Sequence, residues 1–207
     1  MDSLLIKERV VNGHSVCIAV VCDGVGSTKD GSYASAITIK MISDWFEQIT
    51  TTNRIGLLLR DYILRINEYI AQQAQERNLK TATTLSALLI SNGRYYIANV
   101  GDSRIYGFKN QTLKLLTQDQ SSNGKLTFWL GRPKWTEVFY NEGICEEQHF
   151  LICSDGLYKK MDNEYLQLEL LKTNGKTLNQ TIEHLVNHVV ERGETDNISL
   201  AMVSCES

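Results

Sequence analysis

No stretch of this chain approaches the run of about eighteen apolar residues that a membrane-crossing helix needs. The opening residues, Met1-Asp2-Ser3-Leu4-Leu5-Ile6-Lys7-Glu8-Arg9, lack the basic region and long apolar core of a secretory leader. The five cysteines, at 17, 22, 145, 153 and 205, show no CxxC spacing. Cys17, Cys22 and Cys153 lie inside apolar strand-like runs. They read as small buried hydrophobes in a reducing compartment, which argues against a disulfide frame or a zinc site. An excess of positive charge is missing too. The net charge of -3 argues against general nucleic-acid or membrane binding. Proline is almost absent, Pro133 being the only one, and there are no repeats, low-complexity runs or linkers. The Asn-x-Ser/Thr triplets at Asn110, Asn179 and Asn197 are therefore read as chance matches without glycosylation. With 207 residues, 43% hydrophobic and 22% charged, the expectation is one globular domain over 1–207, cytoplasmic and monomeric.

What is present is a repeated design. Phe150-Leu-Ile-Cys-Ser-Asp-Gly-Leu157 is a short apolar run that ends in a carboxylate followed by glycine. Val16-Cys-Ile-Ala-Val-Val-Cys-Asp-Gly24 repeats it near the start. Each run is strand-like and too short for a helix, so each delivers an aspartate to the rim of a sheet. The glycine lets the backbone turn tightly and leaves its carbonyl accessible. Two Asp-Gly rims in one chain suggest a shared hard-cation site, because Mg²⁺ and Mn²⁺ favour carboxylate, carbonyl and water oxygens.

Taken in order, residues 3–11 alternate as a first strand, with Asn12-Gly13 as a hairpin turn. Residues 15–22 are apolar almost throughout, the pattern of a strand covered on both faces. A glycine-containing loop from Asp23 to Gly31 precedes a helix whose stripe is Ala34, Ile37, Met41, Ile42, Trp45 and Phe46. Asn53 is placed to cap a longer helix, with Ile55, Leu58, Leu59, Tyr62, Ile63, Ile66, Tyr69 and Ile70 giving it a 3.6-residue apolar period. Period two then takes over in 83–90, 94–100, 104–108 and 113–117, which predicts a meander of antiparallel strands with Asp102 in a tight hairpin turn. Residues 121–148 read as one short strand and a surface flap in which Trp129 and Trp135 flank Pro133. A strand at 149–153, helices at 162–172 and 177–191, and a strand at 198–203 complete the chain. The predicted class is α+β, an antiparallel β-rich body carrying pairs of helices.

Asp23 and Asp155 close incoming strands, Asp102 sits in a turn and Asp196 stands just before the last strand. If that strand runs antiparallel to the other two, all four acids crowd one rim. Mutual repulsion would protonate some of them unless divalent cations bind. Two ions about 3.5–4 Å apart could bridge a water and hold a phosphoryl oxygen for in-line attack.

These blocks resemble the metal-dependent serine/threonine protein phosphatases of the protein phosphatase 2C type. The similar segments are Cys22-Asp-Gly-Val-Gly26, Gly31-Ser-Tyr-Ala-Ser35, Ala82-Thr-Thr84, Val100-Gly-Asp-Ser-Arg-Ile-Tyr106, Leu116-Thr-Gln-Asp119, Ser154-Asp-Gly-Leu157 and Thr195-Asp-Asn-Ile198, in the family's order. The resemblance implies a four-layer αββα sandwich flanked by helix pairs, binding two Mn²⁺ or Mg²⁺ ions and a third, weaker one. It implies hydrolysis of phosphoserine and phosphothreonine in a phosphorylated protein partner, by a water bridging two ions, and a role in signalling. Carried over by position, Asp23 bridges both ions and the Gly24 carbonyl binds one. Asp155 and Asp196 complete the other shell, and these three acids form the catalytic set. Asp102 contributes to the third position, Asp2 resembles an acid that holds metal-bound waters, and Arg104 pairs structurally with a carboxylate.

The departures lie around that centre. The family's upstream segment, with its phosphate-binding arginine, has no counterpart before Asp2, which reads as an amino-terminal truncation and predicts weak substrate binding. Ser27 and Ala82 replace glycines, and Gln120 stands where histidine is usual. The contrasting expectation is a catalytically impaired or non-catalytic module that binds a phosphoprotein; a small-metabolite phosphatase is a third. Gly24-Val-Gly26-Ser-Thr-Lys29 lacks the ending of a P-loop. His184 and His188 are read as a solvated helix face and not a zinc site. Ser154 has no partner pattern for a serine hydrolase.

Overall fold

The computed structural model describes residues 1–25, 30–133, 136–146 and 149–205. Two antiparallel sheets stack face to face with helices on both outer surfaces, the αββα order expected. The first sheet contains β1 (Asp2–Val11), β2 (His14–Asp23), β3 (Leu85–Ser91), β4 (Arg94–Val100) and β9 (Phe139–Ile144), ordered β1-β2-β3-β4-β9. The second contains β5 (Arg104–Lys109), β6 (Thr112–Leu115), β10 (His149–Cys153) and β11 (Leu200–Ser204), ordered β11-β10-β5-β6. A two-stranded ribbon, β7 (Ser121–Ser122) with β8 (Lys125–Leu126), stands apart. Helices α1 (Gly31–Gln48) and α2 (Ile55–Arg77) cover the first sheet. The second carries α3 (Asp155–Tyr158), α4 (Asn163–Lys172) and α5 (Leu178–Glu191).

Alternation along β2 shows why this sequence needs both partners. Ile18, Val20 and Cys22 pack toward α1 and α2 with Phe46, Leu59 and Ile63, whereas Ala19 and Val21 face the second sheet with Ile105, Phe150 and Ile152. A third cluster, including Leu151, Leu166, Leu185 and Val189, seals the second sheet beneath its helices. Each fully buried Leu, Ile or Phe in these layers contributes about 1.5–3 kcal/mol relative to exposure.

The predicted meander needs correction. β3–β4 and β5–β6 are hairpins, but the turn between β4 and β5 crosses from one sheet to the other. Period two identifies a strand without saying which sheet receives it. Asp102 therefore sits at a corner of the sandwich. Asn53 does not cap α2 either. The helix starts at Ile55 behind Arg54, which is left-handed and makes no side-chain cap, and Leu58 and Tyr69 lie at the exposed margin of its apolar stripe. The described residues of 121–148 hold three strands in place of the single one expected, and Asn67 on α2 anchors the segment: its Oδ1 accepts from the Gly131 and Arg132 amides at 2.9 and 3.1 Å. Trp135 falls outside the described residues. No helix among the described residues is long and apolar enough to cross a membrane. Cys22 and Cys153 are buried thiols as expected, whereas Cys17 is only half-buried, and Cys145 Sγ donates to Cys205 Sγ at 3.1 Å.

Candidate active site

The sheet registers bring the acids to one end of the sandwich. β1 pairs with β2 so that Asp2 lies opposite Asp23. Asp23 is held through its backbone. Its amide donates to Thr84 Oγ1 at 3.0 Å, and its carbonyl accepts from the Thr84 amide at 2.8 Å and Thr83 Oγ1 at 2.9 Å. Thr84 Oγ1 meets Ser103 Oγ at 2.7 Å, which couples this rim to the turn carrying Asp102. Gly101 opens that turn at φ +101°, and a Cβ there would stand 2.8 Å from Thr84 Cγ2. Only glycine combines that backbone angle with that approach. Gln120 closes the turn from outside: its amide donates to the Gly101 carbonyl at 2.9 Å and its Oε1 accepts from the Gly101 amide at 2.8 Å.

In the second sheet, β10 hands over to α3, whose first residue is Asp155. The neighbouring β11 runs antiparallel to β10 and is preceded by Asp196, as the sequence required. The Ser154 amide donates to the Ser199 carbonyl at 2.9 Å, and Ser154 Oγ accepts from the Ser199 amide at 3.0 Å. Asp23, Gly24, Asp102, Asp155 and Asp196 all line one cavity of about 1530 Å³. Asp2 lies behind it, its side chain 5% exposed. Ala82 and Trp129 line the cavity too, while Ser27 and Lys29 fall outside the described residues.

Arg104 is structural, as expected, and its carboxylate is Asp119. Its Nε and Nη2 donate in a fork at 3.0 and 2.7 Å, and its guanidinium lies 3.7 Å from the Tyr158 ring. That stack fixes the end of α3, hence the helical turn that starts at Asp155. The two histidines are elsewhere, on α5. His184 is exposed and pairs with Glu169 at 2.9 Å. His188 is not on a solvated face; it stacks on Tyr165 at 3.8 Å.

The charge balance among the acids is poor without a cation. Both Asp2 carboxylate oxygens and Asp155 Oδ1 are buried without a hydrogen bond, and the Met1 ammonium reaches only Asp2 Oδ1, at 3.5 Å. Burial first, then the charges of Asp2 and Asp155, push the Asp23 carboxyl up to about 9. Burial and then Asp155 also raise Asp102. Buried acceptors without donors are costly, and a hard cation is the partner that oxygen-only surroundings favour. These residues therefore fit a metal. Among the described residues no three His, Cys, Asp or Glu side chains are already gathered to an ion's ligand spacing, although the Asp23 carboxyl meets both Asp2 and Asp155.

One expected result follows from Asp23. The folded, metal-free chain keeps a proton on Asp23 through neutral pH, whereas the unfolded chain releases it near 4. Because the folded state then binds more protons, its stability falls as pH rises from about 4 toward about 9. Protein stripped with a chelator should melt higher at about pH 5.5 than at about pH 8. Asp23→Asn should flatten that difference, and an unchanged slope in the variant would show that another group carries it.

Sequence reasoning missed Lys159. It lines the same cavity, and its Nζ stands 2.5 Å from Asp155 Oδ2. The only signal is its i,i+4 spacing from Asp155.

Comparison with known proteins gives one consistent result. A family model described as Protein phosphatase 2C matches residues 2–196. The chain is 29% identical to the "Putative protein phosphatase" of Mycoplasma genitalium, over 91% of this chain and 85% of that protein. It is also 29% identical to the "Serine/threonine phosphatase stp" of Listeria monocytogenes, over 90% and 83%. Among solved structures, the serine/threonine phosphatase Stp1 from Staphylococcus aureus superposes with a TM-score of 0.89 at 22% identity, covering 100% of this chain and 89% of that one. The serine/threonine phosphatase of S. agalactiae gives 0.81 at 26%, covering 100% and 99%.

Proposed function

Since the chain belongs to the protein phosphatase 2C family, we propose that it hydrolyses phosphoserine and phosphothreonine in proteins with two bound Mn²⁺ or Mg²⁺ ions. The observation that carries this reading is the lining of one cavity by four aspartates, beside buried Asp2 and Asp155 oxygens without a hydrogen bond. Asp23, the Gly24 carbonyl, Asp155 and Asp196 would hold the ions, with Asp2 behind Asp23. When bound, the ions supply Lewis acidity toward the phosphoryl group and its attacking water.

The chain's own residues do the rest. Thr83 and Thr84 lock the Asp23 backbone, so its carboxylate meets the substrate region without reorganising. Asp23 would give up its proton on binding a cation. The Arg104 stack on Tyr158 and the Ser154–Ser199 bonds hold Asp155 and the approach to Asp196 in register. The cavity exceeds the roughly 300–1,000 Å³ typical of small-molecule sites. Its walls mix Leu79, Leu126 and Trp129 with Lys80 and Lys125, a surface suited to a phosphorylated segment of protein.

The test is hydrolysis of a phosphothreonine peptide and of an aryl phosphate by the full chain, with Mn²⁺ and with a chelator. Both should be cleaved, and only with Mn²⁺. Absence of metal-dependent hydrolysis of either would overturn the enzymatic reading. Cleavage of the aryl phosphate with no cleavage across a peptide panel would overturn the protein substrate.

A further inference from the structure

We propose that Lys159 is a built-in cation for the Asp102 corner of the site, so that its ammonium takes the place of a third metal ion and the chain binds two. The inference rests on the metal-binding reading above and assigns a role to a residue outside that ligand set. Asp155 opens a single helical turn, and Lys159 follows it by four residues, which puts the two side chains on one face. Nζ stands 2.5 Å from Asp155 Oδ2. The Lys159 side chain is 56% exposed and reaches into the cavity that Asp102, Asp155 and Asp196 line, while Asp155 is 14% exposed.

The surrounding charges agree with that position. Asp102 and Asp196 both act electrostatically on Lys159, after Asp155, and Lys159 in turn opposes the burial and the Asp155 charge that act on Asp102. Arg104, a neighbouring cation, is already committed to Asp119 and to the Tyr158 ring. A corner with two carboxylates and one ammonium carries one negative charge less than the two acids alone. A further divalent ion there would have to displace the lysine or sit beside a like charge. An ammonium is a compact point charge on a flexible stem, so it can follow Asp155 or turn to Asp102 when an ion claims Asp155. Asp155 Oδ1 is buried and has no donor; that oxygen stays open to an ion while Lys159 holds Oδ2. This is a positioning and charge-balancing role, not contact with the reacting atoms.

The measurement is the number of Mn²⁺ ions bound per full-length chain, read from the paramagnetic resonance signal of free Mn²⁺ and by calorimetry. The parent, Lys159→Gln, Lys159→Arg and Lys159→Gln with Asp102→Asn are compared after thermal melts confirm that each is folded. The parent and Lys159→Arg should bind two ions. Lys159→Gln should gain one additional, weaker ion, and adding Asp102→Asn should remove that gain. A parent that already binds three ions, or a Lys159→Gln variant with unchanged stoichiometry and affinity, would overturn the proposal. A parent that binds no Mn²⁺ would overturn the metal reading beneath it, which keeps the two failures distinct.

Discussion

Asp155→Asn should abolish Mn²⁺-dependent phosphatase activity while leaving the fold intact. The change is isosteric and retains an acceptor facing Lys159, so the packing of α3 survives. What goes is one negative charge at the centre of the acidic rim. The expected loss is roughly a thousandfold, on the scale of the 10²–10³ seen when a preorganised electrostatic partner is removed. Stability should move the other way from activity. In metal-free protein the Asp155 charge repels Asp23 and Asp102, so neutralising it offsets the loss of the lysine pair. The variant should melt within about 4 °C of the parent, the shift that ~1 kcal/mol makes in a chain of this size. Initial rates on a phosphopeptide at saturating Mn²⁺, together with melts in chelator, separate the two effects. Parent-like turnover would place the site elsewhere.

Gly156→Ala should damage both stability and activity, by a route that involves no charge. A Cβ at Gly156 would stand 2.2 Å from the Asn197 carbonyl oxygen and 3.1 Å from its carbon. Both are backbone atoms, so no rotamer change relieves the overlap. Either α3 or the strand approach at 195–199 must move, and each carries an acid of the site. Overpacking of this kind costs about 3 kcal/mol, the upper end of the usual range, or roughly 6–12 °C in melting temperature. Displacing a catalytic group by about 1 Å costs on the order of 100-fold in rate. Gly193 is the internal comparison. It has φ +79°, and a Cβ there would meet nothing within 4 Å, so Gly193→Ala should cost only about 1–2 kcal/mol of backbone strain and spare activity. If Gly156→Ala melts and turns over like the parent, the contact with Asn197 is not what holds the two acids together.

Much of the fold and site is legible in the chain, for identifiable reasons. β4 lies at 94–100 as expected because Asn92-Gly93 and Gly101 punctuate it on both sides. β2 declares its double coverage by a nearly unbroken apolar run. The four acids stand out by position, three of them beside a strand end and Asp102 in a tight turn. The sheet crossing at Gly101-Asp102-Ser103 is hidden, since a tight turn between two period-two segments looks the same within one sheet or between two. The start of α2 is obscured because Asn53 has the chemistry of a cap while the left-handed Arg54 intervenes. Lys159 is hidden for a different reason. A one-turn helix is too short to leave a periodic signature, and Tyr158-Lys159-Lys160 resembles any solvated surface until Asp155 is seen to start a helical turn.

The split of the layers along the chain has a consequence for synthesis. α1, α2 and four strands of the first sheet all fall within residues 2–100, so the nascent chain can close that half as it emerges. β9 is added later at the edge, against β4. Asp155 and Asp196 arrive well after that half has been made, and β11 cannot pair with β10 until residues 200–204 have emerged. Domains made at about 5–20 residues per second have several seconds in which the first half exists without the second. During that interval Asp2 and Asp23 face each other with no second-sheet acids beside them. On the proposed metal-binding reading, cation capture would therefore be a late event and could not act as a template for the early half of the fold.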